Sequence, residues 1–256
     1  MTPERASRLR RIAFTSWAAL VVVAFGIAFF GFTVLLIGWF EDLEGVAGPV
    51  TELGYGALIG ILLTLGVASQ LRHPERKIAG LQQAALVGPA LLIGSALSSD
   101  AQNLEPVLIL IPALGVLIVL HPARGEFLRP PIHLNKTLLA LALLTAIPLT
   151  AYALAMGAAA QDLVGPPHHV QRLSIQAALA AGIVLTAMLA AFQTPGWEIP
   201  ARSAAAAVIV FGLASIIFPD HPAAVGTGWG IVAIAGGLLF VAVAEWQRAR
   251  SSPVPT

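Results

Sequence analysis

The sequence predicts an all-α fold: a polytopic membrane helix bundle of about eight transmembrane helices, with both termini in the cytoplasm. Three observations point there: an extreme composition, a series of uncharged runs of membrane-crossing length, and a one-sided distribution of positive charge. Of 256 residues, 57% are hydrophobic and 11% charged, with a mean hydropathy of +0.85. A soluble domain carries about 25% charged residues. A chain this apolar cannot bury its surface against itself in water, so the lipid bilayer serves as its solvent and first partner.

A helix needs about 20 mostly apolar residues to cross the hydrocarbon core. Uncharged runs of suitable length occupy 12–40, 53–71, 78–99, 106–123, 137–161, 173–197, 203–219 and 222–244. The first follows a basic N-terminus, MTPERASRLRR. It is about twice the roughly 7–15 apolar residues of a cleavable signal peptide. It is therefore read as a retained span that tilts or projects beyond the bilayer. The second and fourth runs end at His73–Pro74 and His121–Pro122. An imidazole beside a helix C-terminus suits the helix dipole, and the proline stops the helix. Pro89, Pro112 and Pro148 fall inside the third, fourth and fifth runs. Each frees a carbonyl and can kink its helix around a cavity.

Charge between the runs tests the arrangement. With the N-terminus inside, the inner loops and termini hold Arg5, Arg8, Arg10, Arg11, Arg72, Arg76, Lys77, Arg124, Arg129, Lys136, Arg202, Arg248 and Arg250, and the outer loops hold only Arg172. That is the distribution of the positive-inside rule. The acidic residues lean outward, and Trp17, Trp197 and Trp246 against Trp39 and Trp229 stand where interfacial anchors belong. The chain divides into a basic cytoplasmic N-terminus (1–11), one transmembrane domain (12–246) and a cytoplasmic tail (247–256). The bias to Arg over Lys and the abundance of Ala, Gly and Pro point to a bacterial plasma membrane.

A shift of 120 residues lays Asp42, Leu43 and Gly45 on Asp162, Leu163 and Gly165, Val50 and Leu53 on Val170 and Leu173, and Asp100 on Asp220. A shift of 121 pairs Pro74 with Pro195 and Ile78 with Ile199. The expected halves are 12–123 and 132–246, parallel because each holds an even number of spans. Within them, Gly56, Gly60 and Thr64 of the second span and Ala178, Gly182 and Thr186 of the sixth form stripes of small residues at intervals of four. Such stripes let helix backbones approach closely in lipid, and they place these two spans at the centre.

Several chemistries are excluded. There is no cysteine, hence no disulfide, thiol or iron–sulfur chemistry. No GxxxxGK[ST] motif is present, so no ATP site of the P-loop kind, and a net charge of +1 gives no reason to expect nucleic acid. HExxH, GxSxG and DDxxD are absent too, so no catalytic residues are assigned. The span centres carry no Asp, Glu, Lys, Arg or His, the usual marks of function inside a membrane. Their polar groups, such as Gln83, Tyr152 and Gln176, suit a neutral ligand. On the outer side, His168, His169, Asp220 and His221 are candidate ligands for zinc or copper, although their spacing matches no metal motif and solvated loop residues are the plainer reading. Glu41, Asp42, Glu44 and Glu52 could draw cations to the outer mouth.

The leading expectation is a non-enzymatic, transporter-like bundle that handles a small neutral or lipid-like ligand, alone, as a homo-oligomer, or as the membrane subunit of a larger assembly. A metal-binding, redox or enzymatic protein working from the outer loops is the second. A structural assembly factor acting through the small-residue stripes is the third.

Overall fold

The computed structural model describes residues 3–40, 48–163 and 167–251. All regular structure among them is helical. Seven segments are long and apolar enough to cross a membrane: Ser7–Ile37, Pro49–Leu71, Ile78–Ser98, Lys136–Asp162, His169–Ala191, Glu198–Ile217 and Gly226–Arg250. The fourth uncharged run also folds as a helix, α6 below, but at 17 residues it spans about 25 Å at 1.5 Å per residue, less than the roughly 30 Å hydrocarbon core. The result is an apolar helical bundle consistent with a multi-pass membrane protein.

The first run is not one tilted helix. It divides into α1 (Pro3–Val23), a π-helical turn at Ala24–Ala28, and α2 (Gly31–Ile37). Phe30 stands between them at φ 60, ψ 14, a left-handed conformation that is rare for an aromatic residue. The second span has three parts: α3 (Pro49–Gly56), an eight-residue π-helical stretch Ala57–Thr64, and α4 (Leu65–Ala68), followed by a 3-10 turn at Ser69–Leu71. Next come α5 (Ile78–Ser98), α6 (Leu104–Leu120), α7 (Arg124–Leu128), α8 (Lys136–Asp162), α9 (Pro167–Ala191), α10 (Glu198–Ile217) and α11 (Gly226–Ser251). Pro89, Pro112 and Pro148 lie inside α5, α6 and α8.

Several helices outrun the uncharged windows because a charged side chain marks the end of the apolar zone, not of the helix. Glu52 sits in the first turn of α3, Arg172 within α9 and Arg202 within α10. Prolines start α3 and α9 where a helix lacks internal partners for its first amides anyway. The Asn135 side chain accepts the Leu138 amide at 3.0 Å and caps α8.

Burial grades the bundle from centre to rim. The most apolar stretch of Pro49–Leu71 is 83% buried and that of His169–Ala191 72%, against 28% for Ser7–Ile37 and 22% each for Lys136–Asp162 and Gly226–Arg250. α9 packs against α3, α5, α8, α10 and the π-helical stretch, while α10 packs against α11. The principal core joins Phe14, Leu58, Leu62, Leu91, Leu114 and Leu179 from five helical segments. The rim helices turn large apolar side chains outward, among them Leu108, Ile111, Leu144, Ile147, Ile231 and Leu239.

The small residues act where backbones touch. A Cβ at Gly60 would meet the Gly31 carbonyl oxygen at 2.7 Å, and one at Gly56 would meet Leu35 at 2.8 Å. One at Gly182 would meet Leu62 at 3.0 Å, and one at Gly94 would meet Ala178 at 2.9 Å. Thr64 and Thr186 are both buried. Both stripes therefore face neighbours within the same chain.

Candidate functional site

Two stretches of irregular backbone, one in each of the first two spans, pack against each other. In the first span the π-helical turn closes with the Phe29 amide on the Ala24 carbonyl at 2.7 Å, and the left-handed Phe30 follows. Tyr55 of α3 donates its hydroxyl to the Phe29 carbonyl at 2.9 Å, supplying the donor that the broken ladder lacks. In the second span Thr64 donates to the Ile59 carbonyl at 2.6 Å. The buried Gln83 of α5 donates to the Leu62 carbonyl at 2.7 Å and to that of Ile61 at 3.3 Å. A π-helix is rare and appears chiefly as single turns at functional sites. Within the eight-residue stretch a hydroxyl and a carboxamide thus serve the Ile59, Ile61 and Leu62 carbonyls.

Between these stretches lies a cavity of about 150 Å³. Phe25, Phe29, Tyr55, Leu58 and Ile59 wall it from the first two spans, Leu91 from α5, Ile109 and Leu110 from α6, and Ile175 from α9. Phe25 and Phe29 stack with ring centroids 5.1 Å apart. The polar contributors are Gln171 of α9 and Glu105 in the first turn of α6. Ile109 and Phe29 are partly exposed at the rim, so the cavity opens at the side of the bundle.

Polar side chains stitch the remaining interior. Tyr152 donates to the Ala223 carbonyl at 2.8 Å, and Gln176 to that of Thr51 at 3.1 Å. Ser98 of α5 and Asn103 both donate to the Ser174 hydroxyl of α9, at 2.8 and 2.6 Å. Arg172 forms an ion pair with Glu52.

The C-terminal end of α6 corrects the expectation for one histidine. His121, just beyond the end of α6, does not act as a cation on the helix dipole. It is fully buried, its Nδ1 accepts the Ala123 amide at 3.1 Å, and its Nε2 lies 3.2 Å from the Gln70 carboxamide oxygen. Burial lowers its pKa, partly opposed by the Ala123 and Pro74 backbone and by Glu75; a ring that accepts an amide on Nδ1 carries its proton on Nε2. The cation at this helix end is Arg10 of α1, which donates to the carbonyls of Val119, Leu120 and His121 at 2.8–3.1 Å. His73, at φ 54, precedes Pro74 where the second span has already tightened into a 3-10 turn.

The four candidate metal ligands are not brought together by what is described. The His168 side chain lies outside the described residues, as do Glu41, Asp42 and Glu44 of the acidic loop. His169 is half-buried at the start of α9, and Asp220 is exposed. His221 accepts the Ala223 amide on Nδ1 at 3.0 Å. Among the described residues no three His, Asp or Glu side chains stand where they could hold a metal ion.

Sequence reasoning missed the cavity, the Arg10 clasp and the Gln70–His121 contact. The polar residues within the spans were visible as such, yet their partners are backbone carbonyls from distant segments. The Glu52–Arg172 pair had a signal: the two opposite charges stand 120 positions apart, the shift that aligns the halves. The chain matches no known protein family, no curated protein and no solved structure.

Proposed function

We propose that this protein is a non-enzymatic, multi-pass component of a bacterial plasma membrane that binds a small lipid-like molecule in the lateral cavity. One observation carries this reading: the cavity forms where two consecutive spans both leave α-helical geometry. Irregular backbone at membrane depth is tolerated where it is buried in protein or lines a cavity, and it costs stability that a plain bundle would not forgo. The cavity is mostly apolar with a few polar groups on its edge, the usual make-up of a small-molecule site.

The same proposal places both termini in the cytoplasm, on the strength of the basic residues that flank the spans. It takes α6 as an eighth, short span. It also takes the chain as two parallel four-helix halves. Burial supports this in order: 28% and 22% for the first and fifth spans, 83% and 72% for the second and sixth, 56% and 56% for the third and seventh. The packing of α5 on α9 has its counterpart in the packing of α10 on α3 and the π-helical stretch. Glu52 and Arg172, which pair across the centre, occupy equivalent positions of the two halves.

Binding of small aromatic and amphipathic compounds to the purified protein in nanodiscs tests the reading, with flux in proteoliposomes as its extension. Saturable binding abolished by Ile109→Trp, which fills the cavity, is the expected result. Absence of binding and of flux across a broad panel would refute it.

A further inference from the structure

The cavity's walls and rim carry chemistry of one sign, which narrows the ligand beyond a lipid-like molecule. Glu105 is the only Asp, Glu, Lys, Arg or His among the described residues that line it. Glu105 is exposed, and among the described residues it forms no ion pair. Arg172, the chain neighbour of the lining residue Gln171, is held in an ion pair with Glu52. An anionic headgroup would meet the Glu105 carboxylate there, and a neutral one would gain nothing from its charge.

The walls favour a cation as well. Phe25 and Phe29 present a stacked pair, and Tyr55, its hydroxyl spent on the Phe29 carbonyl, adds a third ring. Aromatic faces attract ammonium groups, more strongly when the site is shielded from water. The size is also informative. A cavity of about 150 Å³ lined by Leu, Ile and Phe side chains accommodates one benzene ring, and this one has a comparable volume and lining.

Resting on the lateral cavity as a binding site, we propose that it takes small organic monocations: a body of about one ring or its aliphatic equivalent in the apolar chamber, with an ammonium group at Glu105. This departs from the neutral ligand that the charge-free span centres suggest, because the deciding carboxylate lies at a helix start and not in mid-span.

The test compares benzylammonium with benzyl alcohol, a neutral analogue of similar shape, by titration calorimetry of the full chain in nanodiscs against empty nanodiscs. Benzylammonium is expected to bind saturably, and Glu105→Gln to weaken it by about tenfold or more, a far larger loss than the alcohol shows. Glu105 is exposed, so the variant should fold; a retained apparent Tm verifies that. Equal binding of the two compounds, or benzylammonium binding unaffected by Glu105→Gln, would overturn the cation assignment and leave the cavity reading standing. If neither compound binds and Ile109→Trp changes nothing, both fall.

Discussion

His121 shows how a single buried side chain ties three segments of this chain together and makes their union sensitive to pH. Its ring takes the Ala123 amide on one nitrogen, meets Gln70 of the second span on the other, and receives the edge of Phe14 from α1 at 5.2 Å. Burial lowers its pKa, so the folded protein resists a proton that the unfolded chain accepts. The contribution is therefore complete above the unfolded value of about 6.5 and is lost as the pH falls from there toward the lower folded value. Arg10 disfavours the charged ring further, while Glu75 favours it. The apparent Tm in detergent should drop between pH 7.5 and 5.5, and His121→Gln should flatten that part of the profile. A profile unchanged by the substitution would remove His121 from this role.

At the scale of elements, the unusual feature is the mutual support of two irregular spans. Neither the break at Phe30 nor the π-helical stretch would be stable alone. Each gives its backbone to the other through the close approach of Gly31 and Gly60, and Tyr55 serves the carbonyl freed at Phe29. The alternative of two straight helices would fill the cavity with their own side chains. Gly60→Leu should therefore do more than weaken packing in general. It forces a side chain into the Gly31 carbonyl, with an overpacking cost of about 1–3 kcal/mol, and it displaces the segment that walls the cavity. The expected outcome is a lower Tm together with loss of ligand binding. Gly88→Leu, at a glycine with open space around it, should change neither. Equal effects at the two positions would show that Gly60 has no special place.

For the molecule as a whole, the decisive question is whether α6 crosses the bilayer. With 17 residues it falls short of the usual length, yet the orientation of everything after it depends on its crossing. The cysteine-free sequence makes the test clean. Ala101 and Gly125 are exposed on opposite ends of α6. In intact cells, Ala101→Cys should react with a membrane-impermeant maleimide, whereas Gly125→Cys should react only after permeabilisation. Labelling of both from outside would invert the order of all later spans. The clasp of Arg10 on the C-terminal carbonyls of α6, and the indole of Trp17 donating to the Ala113 carbonyl at 2.9 Å, hold this short helix against α1.

Read alone, the sequence predicted an apolar helical bundle and the apolar helices seen among the described residues, because composition and run length report directly on the transfer of side chains into hydrocarbon. It also marked Gly60 and Gly182 as members of small-residue stripes, since small residues at intervals of four leave a mark of their own. It did not reveal that the first span breaks at Phe30 or that the second unwinds into a π-helix, because both depend on hydrogen bonds supplied by Tyr55 and Gln83 from other segments. The cavity belongs to the same class of fact. Its walls come from five spans, its one carboxylate stands in a turn that looks like ordinary solvated sequence, and only tertiary packing brings them within reach of one ligand.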